Sequence, residues 1–170
     1  MSRRVAWWIV FLTTVAVYMT MLLGTLPAIS AEAGGLLPLD VRLMGYTGDE
    51  VRRFLAELSD AGRGVYLGLQ RKLDIVFPLL LGSTLAGLIQ ALVENRVLRI
   101  VLGAAVLFHV LADYTENYLV AGLLVHIGPV TDRAAATASW TTQVKYLSVS
   151  GVILYLSSAL ALAGWRRVRA

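Results

Sequence analysis

Residues 97–125 read VLRIVLGAAVLFHVLADYTENYLVAGLLV. After Arg99, the ionisable side chains that interrupt this apolar stretch are His109, Asp113 and Glu116. A helix needs about 20 apolar residues to cross the roughly 30 Å of hydrocarbon in a bilayer. The stretch therefore predicts a transmembrane helix that carries ionisable groups inside the membrane.

Three further stretches are apolar and long enough to cross a bilayer, at about 5–27, 73–93 and 140–165. The chain of 170 residues is 58% hydrophobic and only 15% charged, whereas soluble domains carry about 25% charged residues. One small soluble core cannot bury so much apolar side chain, because small domains leave much of their surface in water. The sequence thus predicts an all-α integral membrane protein, a four-helix transmembrane bundle in a lipid bilayer.

The basic residues predict which ends of the helices face the cytoplasm. Three short segments, the two termini and the turn between the second and third spans, hold seven arginines and one acid. The segment 28–72 holds six basic and six acidic residues. Positive charge concentrates on the cytoplasmic side of membrane proteins. We therefore expect both termini to be cytoplasmic and 28–72 to be extracytoplasmic, in the plasma (cytoplasmic) membrane, the cell inner membrane.

Composition also excludes several classes of function. The chain has no cysteine, which excludes disulfides, thiolate metal sites and cysteine nucleophiles. Its positive charge is explained by topology, and a nucleic-acid-binding protein would need a basic stripe that the sequence lacks. We expect no nucleic acid among its partners.

The amino terminus allows a second interpretation. A basic start, an apolar run and Ala31-Glu32-Ala33 resemble a cleavable signal peptide. The apolar run covers 5–27, however, and a signal peptide has an apolar region of about 7–15 residues. We therefore expect the first span to be retained, while cleavage would leave three spans.

Between the first two spans, the sequence predicts an extracytoplasmic amphipathic helix. Thr47 and Glu50 have the spacing of a capping box, in which each side chain bonds a free amide at a helix start. Apolar residues then recur at helical spacing: Val51, Phe54, Leu55 and Leu58. Gly62 is the expected stop, with helix again from Arg63, so the outer cap covers about 47–72. We interpret it as a cap on the bundle, with a lipid-surface or partner-binding helix as the alternative.

The third span carries its ionisable groups on one face. His109, Asp113 and Glu116 follow one another at intervals of four and three residues, which places them on the same side of a helix. Asn117 extends that face, and tyrosines at 114 and 118 flank it. Ionisable groups inside a span are costly and usually face the bundle interior.

Hairpin geometry predicts what this face meets. Asp113 precedes Pro129 by as many residues as Lys145 follows it, so an antiparallel pair of helices places the two at one depth. We expect an Asp113–Lys145 ion pair, with Glu116 in place of Asp113 if helix irregularity near Pro129 shifts the register by one turn. The preceding hairpin places Asp74 level with Glu116 and Asn117 in the same way. Pro78 cannot donate to the backbone carbonyl four residues earlier, which predicts a free carbonyl at Asp74.

These residues form the candidate site, a polar cluster in the outer half of the bundle. Its members are Asp74, His109, Asp113, Tyr114, Glu116, Asn117 and Lys145. We expect a pocket for a small molecule or a lipid headgroup, with Tyr114 or Tyr118 as an aromatic wall and the helix at 47–60 as a lid.

Other interpretations of the cluster remain open. It is also consistent with a satisfied network that sets helix register, in an accessory subunit that docks a membrane-protein partner. A membrane enzyme would use Asp113 or Glu116 as an acid–base carboxylate. No cofactor and no metal site is predicted, with a haem or chlorin on His109 as the alternative.

Overall fold

In the computed structural model of the protein, residues 2–126 and 128–169 are described. Within these ranges the chain is helical and has no strand. The helices are α1 (Arg3–Ala31), α2 (Gly48–Glu57), α3 (Asp60–Leu92), α4 (Arg96–Val125) and α5 (Asp132–Arg169). All except α2 are long and apolar enough to cross a membrane. The predicted all-α class with four such helices is confirmed.

The four long helices run antiparallel to their neighbours in sequence. Helix α1 packs along α3, α3 along α4, and α4 along α5, while α1 and α5 make little direct contact. Trp7 Nε1 donates to the Thr84 carbonyl at 3.1 Å, and the hydroxyls of Thr14 and Thr84 lie 3.0 Å apart, so α1 is tied to α3. Because α1 packs on α3 and scarcely contacts α5, a gap separates α1 from α5.

We call the end of the bundle that carries α2 the cap end, and the end with the 92–96 turn the basic end.

Two of the long helices contain a wide turn near the cap end, of the π type. The turns cover Met21–Thr25 in α1 and Tyr66–Gln70 in α3. The Thr25 hydroxyl donates to the Gln70 side-chain oxygen, and Gln70 Nε2 donates to Asp74 Oδ1 at 2.9 Å. Wide turns of this type are frequent at functional sites, and here they connect α1 to a carboxylate of the predicted cluster.

Helix α2 begins at the capping box that the sequence predicts. The Thr47 amide donates to Glu50 Oε2 at 2.7 Å, and the Glu50 amide donates to Thr47 Oγ1 at 3.3 Å. Val51 and Phe54 are fully buried in an apolar cluster that also includes residues of α1, α4 and α5. The apolar stripe of α2 thus packs onto the bundle, as the cap interpretation expects.

The predicted stop at Gly62 is wrong. Helix α2 ends at Glu57, and α3 begins at Asp60 with Ser59 as its cap, since the Gly62 amide donates to Ser59 Oγ at 3.1 Å. A serine hydroxyl satisfies the free amides of a helix start, so the chain re-enters a helix before Gly62. Gly62 instead packs closely against the side chains of Glu32 and Leu58, where a Cβ has no room.

Two of the helices also extend beyond the predicted spans. Helix α3 starts well before the span at 73–93, and α5 starts well before the span at 140–165. Each carries an aspartate in its first turn, Asp60 in α3 and Asp132 in α5. Negative charge at a helix start is favourable because it offsets the helix dipole.

The buried interior consists of two apolar clusters, one toward each end of the bundle. The cluster at the cap end includes Leu39, Phe54 and Leu124, and the other includes Ile89 and Val152. Several buried polar side chains of α4 and α5 lie in sequence between the parts of these helices that form the two clusters: His109, Asp113, Glu116, Thr142 and Lys145.

Candidate functional site

The centre of the polar cluster is the ammonium group of Lys145. Its Nζ lies 2.7 Å from Glu116 Oε2 and 3.8 Å from Asp113 Oδ2. The other oxygen of Glu116, Oε1, accepts a 2.7 Å hydrogen bond from the Thr142 hydroxyl, and Glu116 is fully buried. The expected Asp113–Lys145 contact is present at ion-pair distance, but Glu116 is the closer partner.

The direction of side chains on antiparallel helices explains this preference. Every Cα–Cβ bond leans toward the start of its own helix. Helix α5 starts at the cap end, so Lys145 leans toward that end, while Glu116 on α4 leans toward the basic end. The two side chains therefore converge, although Glu116 lies about one turn nearer the cap end than Asp113, which is level with Lys145.

Asn117 connects α4 to α3 at the level that the sequence predicts. Its Nδ2 donates to the Asp74 carbonyl at 3.0 Å and to Asp113 Oδ1 at 3.0 Å. Pro78 lacks the N–H that would ordinarily reach the Asp74 carbonyl. The side chain of Asn117 takes the place of this donor, so the carbonyl is occupied within the protein rather than free for a ligand.

Asp40 also belongs to the cluster, although the sequence pattern does not predict it. It is only 5% exposed, and its Oδ1 accepts a 2.6 Å hydrogen bond from the Tyr66 hydroxyl. Its carbonyl accepts from the Tyr146 hydroxyl at 3.1 Å and from Lys145 Nζ at 3.4 Å. An aspartate between two apolar neighbours was the available signal, but it lies in a segment without helical periodicity.

His109 has one nitrogen bonded and the other unpaired. The residue is 3% exposed, and its Nδ1 lies 3.1 Å from the Lys145 carbonyl. Because a carbonyl only accepts, Nδ1 carries the hydrogen, and Nε2 of the neutral ring is an acceptor. Among the described residues, Nε2 has no hydrogen-bond partner. Buried polar atoms are nearly always paired, so this atom requires an explanation.

A cavity of about 720 Å³ lies between α1, α3 and α5. Ligand pockets commonly measure about 300–1,000 Å³. Most of its wall is apolar and comes from these three helices. Polar side chains line it as well, drawn from the cluster and from the 38–43 segment: Asp40, Asp74, His109, Asp113, Lys145 and Tyr146.

The cavity is only partly enclosed, and its wall includes exposed side chains of α1 and α5, the two helices that lie apart. Three of its wall residues are large apolar or aromatic side chains with roughly two fifths of their surface exposed, Tyr18 at 44%, Leu22 at 41% and Ile153 at 43%. Along α3 the wall extends from Asp74 to Leu88, which is about 21 Å at 1.5 Å per residue. The space is thus a lateral cleft with acidic groups toward the cap end.

The structure divides the predicted site residues into two groups. Asp74, His109, Asp113 and Lys145 line the cavity. Glu116 is instead enclosed by Lys145 and Thr142 within the protein. The other two predicted residues hold α3: Asn117 by the bond described above, and Tyr114 by a 2.8 Å hydrogen bond from its hydroxyl to the Ile75 carbonyl.

The aromatic side chains of the cavity, and the segment that borders it at the cap end, are not the ones expected. Tyr118 is 74% exposed on the bundle surface. The aromatic side chains of the cavity are Phe11, Tyr18, Phe77 and Tyr146. At the cap end the cavity is lined by Asp40, Val41 and Leu43, which precede α2 in the sequence. This short segment, rather than α2, occupies the expected position of the lid.

A second, small cavity lies beside Asp74 and Asn117, and Tyr66 and Arg71 are also part of its wall. Its volume of about 20 Å³ is enough for one water molecule and no more. The larger cavity is therefore the candidate ligand site.

In the described part of the chain, no group of three His, Cys, Asp or Glu side chains is arranged to hold a metal ion. No protein-family model matches the chain, and neither a curated protein nor a solved structure matches it. The chemistry of the site therefore rests on its own residues.

Proposed function

We propose that this protein binds an amphipathic molecule, a lipid or a lipid-like small molecule, in the cleft between α1 and α5. The polar head would lie beside Asp74, His109 and Asp113. The apolar chain would extend toward the basic end, between Phe11 on α1 and Leu88 on α3.

The observation that carries this proposal is the polarity of the cavity wall. At the cap end the wall carries ionisable side chains, namely Asp40, Asp74, His109, Asp113 and Lys145. The rest of the wall consists mainly of apolar side chains from α1, α3 and α5. A ligand that is apolar along most of its length and polar at one end matches such a wall. The lateral opening supports entry from the surrounding lipid. A closed and dry cluster would instead have favoured the accessory-subunit interpretation.

We also propose that the protein lies in the cytoplasmic membrane with both termini inside and 28–72 outside. Arginines concentrate in the two termini and the 92–96 turn, while 28–72 has balanced charge. This distribution follows the positive-inside rule. In this orientation the acidic part of the cleft lies in the outer leaflet, at a depth that a lipid headgroup can reach.

The test is photolabelling of the purified protein in lipid nanodiscs. Three probes share a dodecyl chain with a diazirine at its middle and differ in the head, which is an amine, a hydroxyl or a carboxylate. Ser150 lies on the cleft wall and is exposed, so Ser150→Trp fills the cleft at little cost to folding. Ser158 is the matched control, since it is exposed on the same helix and makes the same hydroxyl bond to the carbonyl four residues earlier.

We expect saturable labelling by at least one probe, at peptides that contain Tyr18, Phe77 or Ile153. Ser150→Trp should abolish it, and Ser158→Trp should leave it unchanged. Labelling that increases linearly with every probe, or that is equal in the two variants, would refute a binding cleft.

A further inference from the structure

We propose that the headgroup bound in this cleft is a hydrogen-bond-donating cation, a protonated primary amine, beside His109, Asp113 and Asp74. This inference rests on the proposed function and specifies its ligand class. Three independent features of the cleft support it: an unpaired acceptor, an excess of acidic groups, and the geometry of the remaining carboxylate oxygens.

The unpaired acceptor is His109 Nε2. The ring lines the cavity and is 3% exposed, and its Nδ1–H donates to the Lys145 carbonyl. The orientation of the ring is therefore set by the protein, and Nε2, which is itself buried, is left without a donor. An acceptor buried without a donor destabilises the protein. A ligand N–H or O–H group that reaches Nε2 would remove this cost, whereas a carboxylate or phosphate diester offers another acceptor.

The second feature is the charge of the layer. Four carboxylic acids lie around one ammonium group, Lys145, which is already committed to Glu116. The other three acids line the cleft: Asp40, Asp74 and Asp113. Arg71 lines the small cavity beside Asp74 and is exposed. Carboxylic acids buried together must either bind protons or meet a cation, so a cationic head is favoured and an anionic head is disfavoured.

The third feature is where the acids still have free acceptor capacity. Gln70 donates to Oδ1 of Asp74, and Asn117 donates to Oδ1 of Asp113. Among the described residues, the group closest to a bond with Oδ2 of Asp113 is Lys145 Nζ, at 3.8 Å. An ammonium group has three donors and no acceptor. These could be taken up by His109 Nε2 and one oxygen from each aspartate.

The same photolabelling assay tests the headgroup, with a fourth probe that carries a trimethylammonium head. The amine and trimethylammonium probes have equal charge, but the latter has no N–H. We expect the amine probe to half-saturate at a concentration about tenfold or more below the carboxylate and trimethylammonium probes, because only the amine combines positive charge with N–H donors. The hydroxyl probe should fall between them.

Three conservative variants locate the preference in the cleft. His109→Asn keeps a donor for the Lys145 carbonyl and removes Nε2, while Asp113→Asn and Asp74→Asn remove charge and keep shape. Each should weaken binding of the amine probe by about tenfold. The two aspartate variants should change binding of the hydroxyl probe much less. Ser158→Trp remains the unchanged control. If His109→Asn does not fold, as judged by gel filtration, the two aspartate variants carry the test.

The outcomes separate the two proposals. Saturable labelling that Ser150→Trp abolishes, but with the carboxylate or trimethylammonium probe bound as tightly as the amine, would overturn the headgroup assignment and leave the cleft in place. If all three polar variants bind the amine probe as tightly as the unsubstituted protein does, the headgroup assignment is also overturned. If no probe gives saturable labelling, the proposal that the cleft binds a ligand is itself overturned.

Discussion

Lys145 Nζ lies 2.7 Å from Glu116 Oε2 and 3.8 Å from Asp113 Oδ2, so one lysine joins two carboxylates one turn apart on α4. The two contacts have different surroundings. Glu116 is fully enclosed, whereas Asp113 borders the cleft. We infer that Glu116 holds α4 and α5 in register, and that Asp113 is available to a ligand.

The first prediction concerns the strength of this ion pair. Lys145→Met leaves Glu116 buried and uncompensated, so it should lower the free energy of unfolding by about 3–5 kcal/mol. The Lys145→Met, Glu116→Gln double variant should lower the free energy of unfolding much less. Reversible unfolding in mixed micelles gives these values. A double-mutant cycle with Asp113→Asn should show weaker coupling, and a stronger coupling to Asp113 would contradict the geometry.

The second prediction concerns the bond from Asn117 to the Asp74 carbonyl. Asn117→Ala leaves this carbonyl without a donor, which should cost about 1–3 kcal/mol. In a Pro78→Ala background, the restored amide of residue 78 can donate to the same carbonyl. There Asn117→Ala should cost clearly less, by the same unfolding measurement. An equal cost in both backgrounds would show that Asn117 does not replace the missing amide.

The third prediction concerns the capping box of α2 and its response to acid. The Thr47 amide and hydroxyl both donate to Glu50 and lower the pKa of that carboxyl. A lowered pKa means that this contribution to stability is present above the pKa of the unfolded state and is lost as the pH falls through the folded value. Glu50→Gln should remove this part of the acid sensitivity. Thr47→Ala should cost about 0.5–2 kcal/mol, read from thermal unfolding at several pH values.

The fourth prediction concerns membrane orientation. The described chain has no cysteine, so a single introduced thiol reports its own position. Ala56 is exposed on α2, and Glu94 is exposed in the turn between α3 and α4. A membrane-impermeant maleimide should label Ala56→Cys on intact cells and Glu94→Cys only after permeabilisation. The reverse pattern would invert the proposed topology.

Local patterns in the sequence were sufficient for the helices and for part of the site. Length and apolar content predict four spanning helices, because the requirement to cross hydrocarbon depends on residues adjacent in the chain. The capping box at Thr47 is equally local. The constant rise per residue also placed Asp74 level with Asn117. It placed Lys145 level with Asp113, which is within one turn of its closer partner, Glu116. The choice of Glu116 over Asp113 depended on the lean of side chains, which residue counting ignores.

The cleft itself was decided only by the tertiary structure. It exists because α1 packs along α3 and away from α5, and the sequences of these helices carry no mark of that choice, since all three are apolar around most of their circumference. Asp40 reaches the cluster through a segment with no periodicity, and its place depends on Tyr66 and Tyr146, which are distant in the chain. Periodicity shows which side chains share a helix face, whereas the space between helices depends on how whole surfaces fit together.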